Sequence, residues 1–217
     1  MAGWDTDSPQ LRENLVGTMR RIRDAARRRD VLTVAVGREW HHQIMAGLHV
    51  PVPEYVGGFR GEDNRKPSDG GHAKSGSSKL KNCRVTIGSA EGVPPSEVAG
   101  QLQVFESRLR RVIEELDQTY PIGTDLDNDG LSSVLDVAAW AHAEWVRIHP
   151  FANGSGRTAR LWANAILMRY GVPPFVRLRP RPDAGYGAAS AHAMQGNWQA
   201  TARVFRQMLQ TYLGERE

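Results

Sequence analysis

The sequence predicts an all-α domain carrying one small β-hairpin. Three observations lead there. Apolar residues recur at helical spacing through most of the long runs of the chain. Proline pairs at 51–53 and 173–174, and the His-Pro step at 149–150, separate those runs. One short stretch, residues 83–93, alternates weakly and contains Gly88 and Gly92, which reads as a hairpin.

The elements follow in order. Residues 1–7 read as a loose tail and 8–217 as a single domain. Ser8-Pro9 is a helix start, with proline at the first helical position. The run 9–29 places Leu11, Leu15, Met19 and Ile22 at helical spacing, with Arg20, Arg21, Arg23, Arg27, Arg28 and Arg29 around a solvated face. Residues 32–48 form a second helix offering Val34, Trp40, Ile44 and Leu48 to the core. His41 and His42 lie in it without a carboxylate or cysteine at metal-ligand spacing, so both read as structural or surface residues. Residues 61–81 are a polar, Gly- and Ser-rich loop insertion carrying Lys74, Lys79 and Lys81. The run 95–116 is amphipathic, with Val98, Leu102, Phe105, Leu109, Val112 and Ile113 on one side. The acidic run DLDNDG at 125–130 lacks the closing Glu of a calcium loop and reads as a turn. Residues 131–148 carry Val134, Ala138, Ala141, Trp145 and Ile148 on one stripe. Residues 158–170 turn Leu161, Ala165, Leu167 and Met168 inward, and 186–195 and 198–213 complete the helices.

Composition narrows the class. The chain has 217 residues, a net charge of +4 and one cysteine, Cys83, which excludes an internal disulfide. No apolar run is long enough to cross a bilayer, and the first residues lack the pattern of a signal peptide; a cytoplasmic protein without a membrane partner is expected. The mild basic bias is assigned to arginine usage and an anion site rather than to nucleic acid.

The chemistry concentrates in residues 149–160, HPFANGSGRTAR. Pro150 disfavours helical geometry at His149, so one helix stops there. Gly154 and Gly156 permit a tight turn, and the next helix starts around residues 153–155. A helix start with glycines and arginines offers free N–H groups, the positive dipole end and guanidinium forks to an anion. An imidazole at its rim places a base beside a bound phosphate.

This stretch resembles the signature of the Fic family, HPFx(D/N)GNGRxxR. His149, Pro150, Phe151, Asn153, Gly154, Gly156, Arg157 and Arg160 match, and Ser155 stands where the family has Asn. GGFRG at 57–61, CRVTIG at 83–88, VPPSEV at 93–98, GVPP at 171–174 and GNW at 196–198 resemble flanking segments of the family. The resemblance implies a Fic-type helical bundle whose hairpin is a flap that holds a target's backbone by strand pairing. It implies transfer of AMP from ATP to a hydroxyl side chain of a target protein, with Mg²⁺ as cofactor.

His149 is then the general base, and Arg157 steadies charge during transfer. Gly154, Ser155 and Gly156 present N–H groups to the phosphates, Asn153 offers its side-chain oxygen to Mg²⁺, and Arg160 binds the terminal phosphate. Tyr186, Asn197 and Trp198 match a later segment near the base pocket and are nucleotide contacts or packing residues. Phe151 and Pro150 are anchors. Many family members restrain themselves through a (S/T)xxxE(G/N) helix. The chain reads SPQLREN at 8–14, one residue out of register, and Glu13 is the candidate to pair with Arg160. Three alternatives stay open: transfer of another phosphorus-containing group, a small-molecule acceptor, and a nucleotide-binding module without catalysis. The residues name neither the acceptor nor an oligomeric state.

Overall fold

The computed structural model describes residues 4, 7–63, 79–87, 90–183 and 185–215. Among them are seven α-helices and one two-stranded antiparallel sheet. The loop insertion therefore falls largely outside the described residues, Lys74 with it. Lys79 and Lys81 are exposed, and Lys81 lies 3.7 Å from Asp63.

Helix α1, Pro9–Arg27, starts where Ser8 accepts a hydrogen bond from the Leu11 N–H. It buries Leu11, Leu15 and Ile22, while Arg20, Arg21, Arg23, Arg27 and Arg28 face solvent. Arg29 departs from the expected solvated face. It adopts a left-handed backbone, turns inward over the Tyr170 ring and pairs with Asp117. Helix α2, Val34–Met45, is capped by Thr33, and the Glu106 carboxylate accepts from the Val34 N–H at 2.5 Å. Negative charge at that end complements the helix dipole.

The hairpin is short. Strand β1, Thr86–Ile87, pairs with β2, Ala90–Glu91, in the register Thr86 to Glu91 and Ile87 to Ala90. Helix α3, Pro95–Thr119, runs three residues beyond the expected end and buries Leu116 on the same apolar side. Helix α4, Asn128–Ile148, begins inside the acidic run that reads as a turn. Asp127 is its N-cap, accepting from the Gly130 N–H at 2.7 Å. The aspartates are helix-start residues because they satisfy donors that the first turn leaves open.

Helix α5, Ser155–Arg169, is the centre of the molecule, packed by α4, α1 and α2. One inward face was expected; instead every residue except Gly156 is buried. The polar ones are tolerated because each finds a partner. Thr158 accepts from the Trp145 indole at 2.8 Å, Asn164 exchanges hydrogen bonds with the Val176 backbone, and Arg169 pairs with Asp117 at 2.5 Å. Helices α6, Tyr186–Met194, and α7, Gln199–Gly214, close over α4. Trp145, Trp162, Trp40 and Phe105 stack edge-on around α5 and fix where its first turn emerges.

Candidate active site

The site forms where α4 ends and α5 begins. His149 is the C-cap of α4 and sits in the left-handed region, φ 51°, which turns the chain out of the helix before Pro150. Phe151 is fully buried. It stacks on His41 with centroids 3.8 Å apart and packs against Phe59 and Trp145. The expected anchor is in place.

Gly154 is required twice over. Its φ is +86°, and a Cβ there would lie 2.7 Å from Met45 Cε and 3.0 Å from His41 Nε2. Gly156 is different: a Cβ would meet only Arg160 Nη1, at 3.7 Å. The turn thus needs glycine at 154 for its own geometry, and at 156 it leaves space for something else. Thr158 is the first residue whose N–H returns to the turn, at the Gly154 carbonyl. The N–H groups of Ser155 and Gly156 open the helix without an acceptor among the described residues.

The Ser155 hydroxyl is taken up by its own turn. Ser155 Oγ accepts from the Phe151 N–H at 3.1 Å and donates to the Phe151 carbonyl at 3.3 Å. Its side chain braces the loop, and its backbone N–H is what it can offer an anion. Shorter than Asn, the hydroxymethyl group reaches only its own turn.

Arg157 donates through Nη2 to Asn153 Oδ1 at 2.9 Å and through Nη1 to the Trp4 carbonyl at 3.3 Å. The Trp4 ring stacks on Tyr55 with centroids 5.8 Å apart. Arg160 donates through Nη1 to the Tyr186 hydroxyl at 3.2 Å and through Nη2 to the Leu178 carbonyl at 3.1 Å.

A cavity of about 280 Å³ joins these groups. His149, Asn153, Gly154, Ser155, Gly156, Arg157, Arg160 and Tyr186 all line it, with Ile87 of the flap above and Arg179, Arg181 and Ser190 opposite. Two expectations fall outside it. Asn197 is exposed between α6 and α7 and does not line the cavity. Glu13 lies on the exposed side of α1 and forms no ion pair with Arg160, whose guanidinium already holds Tyr186 and Leu178. Burial of Leu11 and Leu15 on the other side of the helix leaves that carboxylate facing outward.

Three histidines are held neutral. Burial pulls His149 down to about 4, the nearby Arg60 charge adds to this, and the Val146 carbonyl opposes it. That carbonyl, 3.3 Å from Nδ1, can only accept, so Nδ1 carries the hydrogen and Nε2 keeps a lone pair. Burial takes His41 to about 3, despite its bond to the Asn153 carbonyl. The Gly57 N–H donates to His41 Nδ1 at 2.9 Å, so Nε2–H donates to Asn153 O at 2.9 Å. His142, also at about 3 by burial, faces the Tyr186 hydroxyl at 2.6 Å. Tyr186 is therefore a link from His142 to Arg160 and stands at the cavity wall.

Sequence reasoning missed four contributors: Arg60, His41, His142 and the pair Arg179 and Arg181. Arg60 is 1% exposed and has carbonyl partners only. It binds the carbonyls of Ile148 and His149 on α4, and those of Cys83 and Val93 at the two ends of the hairpin. Its own N–H donates to the Pro150 carbonyl at 2.8 Å. A cation at the carboxyl end of α4 suits the dipole, and the same guanidinium ties the hairpin to the turn between α4 and α5. GGFRG was the available signal. His41 and His142 gave none, since their roles depend on partners far away in the chain.

A helical bundle with a hairpin laid over the start of one helix, and a histidine at the end of the helix before it, is the arrangement the structure presents. The sequence model of the Fic/DOC family matches residues 31–167, and the chain belongs to that family. It is similar to protein adenylyltransferase Fic of Nematostella vectensis, 54% identical over 50 residues, 23% of this chain and 12% of that protein. It is also similar to protein adenylyltransferase fic-1 of Caenorhabditis elegans, 35% identical over 101 residues, 45% of this chain and 20% of that one. The matched stretch thus spans a fifth or less of these relatives. A solved Fic domain containing signaling protein from Bacteroides thetaiotaomicron shares the fold, with a TM-score of 0.52 and 16% identity over 94% of this chain and 72% of that one.

Proposed function

We propose that this domain transfers AMP from ATP to a hydroxyl side chain of a target protein. The observation that carries the reading is the His149 tautomer. Nδ1–H is directed to the Val146 carbonyl, which leaves the Nε2 lone pair for a proton in the cavity that the first turn of α5 lines. The names of the relatives, protein adenylyltransferases, support the same direction.

In this reading the acceptor hydroxyl gives its proton to His149 Nε2 as its oxygen bonds to the α-phosphorus. The bond to the β-phosphate oxygen breaks, and pyrophosphate leaves. The N–H groups of Ser155 and Gly156 and the Arg157 guanidinium hold the phosphate oxygens whose charge shifts. Reaching Arg157, the donor replaces the Trp4 carbonyl. The flap edge is available to pair with an extended target segment.

Mg²⁺ fits the donor set in one respect. Asn153 Oδ1 is a neutral oxygen in the cavity wall with a second lone pair beyond the one Arg157 uses. Among the described residues no group of three His, Cys, Asp or Glu side chains gathers there, so phosphate oxygens would complete the ligation, as Mg²⁺ prefers. When bound, the ion would neutralise phosphate charge.

Incubation with α- and γ-labelled ATP, a cell extract and a His149→Ala control tests the reading. Transfer of the α label, absent from the control, is expected. Transfer of the γ label alone assigns a kinase instead, and nucleotide binding without transfer of either label assigns a binding module.

A further inference from the structure

One buried imidazole has no part in the transfer step. His142 lies on α4 about two turns before His149 and is fully buried. The Phe205 ring packs edge-on against it, with centroids 5.3 Å apart. Its Nε2 stands 2.6 Å from the Tyr186 hydroxyl. Arg160 Nη1 donates to that same hydroxyl at 3.2 Å. A guanidinium can only donate, so this bond takes a lone pair of the Tyr186 oxygen. The phenolic proton is left for His142, and Nε2 accepts it. The imidazole is neutral, because burial and the Arg160 charge lower its pKa to about 3. Its one N–H therefore sits on Nδ1, where it meets no acceptor among the described residues.

A buried N–H without an acceptor is unfavourable, and an apolar side chain at 142 would avoid it. The consequence of having His there is a phenol with one orientation, its lone pair directed to Arg160. Arg160 is held at a second point, where Nη2 donates to the Leu178 carbonyl at 3.1 Å. Two fixed acceptors, one on each Nη group, set the guanidinium plane. Arg160 and Tyr186 line the cavity at the start of α5, and His142 stands behind them.

We propose that His142 is a positioning residue of the transfer site. Through the Tyr186 hydroxyl it fixes where the Arg160 guanidinium stands in the cavity wall, without touching the nucleotide itself. The proposal rests on the nucleotide-site reading above.

The test is titration with ATP, per folded molecule, of wild type, His142→Leu, His142→Gln, Tyr186→Phe and the double variant His142→Leu with Tyr186→Phe. His142→Leu frees the phenol to turn, and ATP affinity should fall by about tenfold. Gln can set its side-chain oxygen where Nε2 stood, so His142→Gln should recover part of the loss. The double variant should bind no more weakly than Tyr186→Phe alone, because both changes act through one hydroxyl. Nitrogen NMR of the wild type needs no variant to fold, and should show His142 as the neutral form with its hydrogen on Nδ1. A hydrogen on Nε2 overturns the proposal. So do additive losses in the double variant, or a lowered melting temperature in His142→Leu with ATP affinity unchanged, which is a packing role alone. Wild type that binds no ATP removes the nucleotide reading together with the proposal, whereas ATP bound equally by wild type and His142→Leu removes the proposal only.

Discussion

His149 owes its chemistry to two neighbours it could not have in a peptide. The Val146 carbonyl fixes its tautomer, and burial with the Arg60 charge lowers its pKa to about 4. With the pKa lowered, the neutral, proton-accepting form persists from neutrality down to about pH 4. The pH dependence of kcat/KM for label transfer should therefore stay flat as pH falls from 7 to 5 and drop only near 4; an inflection near 6.5 would show an unperturbed imidazole. The two glycines of the turn separate in the same way. Gly154→Ala forces a side chain into the left-handed region against Met45 and should cost about 1–2 kcal/mol in urea unfolding. Gly156→Ala has room in the protein, so stability should hold or rise by about 0.5 kcal/mol, while ATP affinity measured on the same sample falls because the methyl projects where phosphate would approach.

Backbone carbonyls bring elements together at the site. Arg60 is the clearest case: the end of α4, the turn after it and both ends of the hairpin converge on one guanidinium. Arg60→Met keeps the apolar stem and strands four carbonyls, so a loss of about 3 kcal/mol is expected in chemical denaturation. A second readout isolates the electrostatic part. Removing the Arg60 charge should raise the His149 pKa in the folded variant, seen by proton NMR of the imidazole. Helix α1 shows the reverse lesson. The apolar spacing that places Leu11, Leu15 and Ile22 inside also leaves Glu13 on the exposed side, away from Arg160.

Across the whole molecule, Asp117 of α3 gathers two distant pieces of chain. Arg29 after α1, Arg169 at the end of α5 and Tyr170 all bond its carboxylate. Burial raises its pKa, but the hydrogen bonds from Arg169 and Tyr170 and the two guanidinium charges outweigh that and leave it lowered. The stability it contributes is present above the ordinary carboxylate range and is lost as pH falls through its lowered value. Asp117→Ala would leave Arg169, 8% exposed, as an unpaired buried charge and should cost about 3 kcal/mol. Because the cluster lies at the far end of α5 from the motif, nucleotide affinity per folded molecule should be unchanged, as titration of the variant would show.

Helix existence and family membership were legible in the chain, because each depends on spacing within about twenty residues. Helical periodicity gave α1, α3 and α4 nearly to their ends, and the glycine-arginine run gave the turn and the two motif arginines. What Ser155, Arg160 and Tyr186 do was settled only in three dimensions. Their hydrogen-bond partners, Phe151 for the first, Leu178 and Tyr186 for the second, His142 for the third, are chosen by how helices cross. The same holds for Arg60, His41 and Arg181, which reach the site from other elements. A residue's type and spacing fix which bonds it is able to make; packing of α5 on all sides decides which of them it makes.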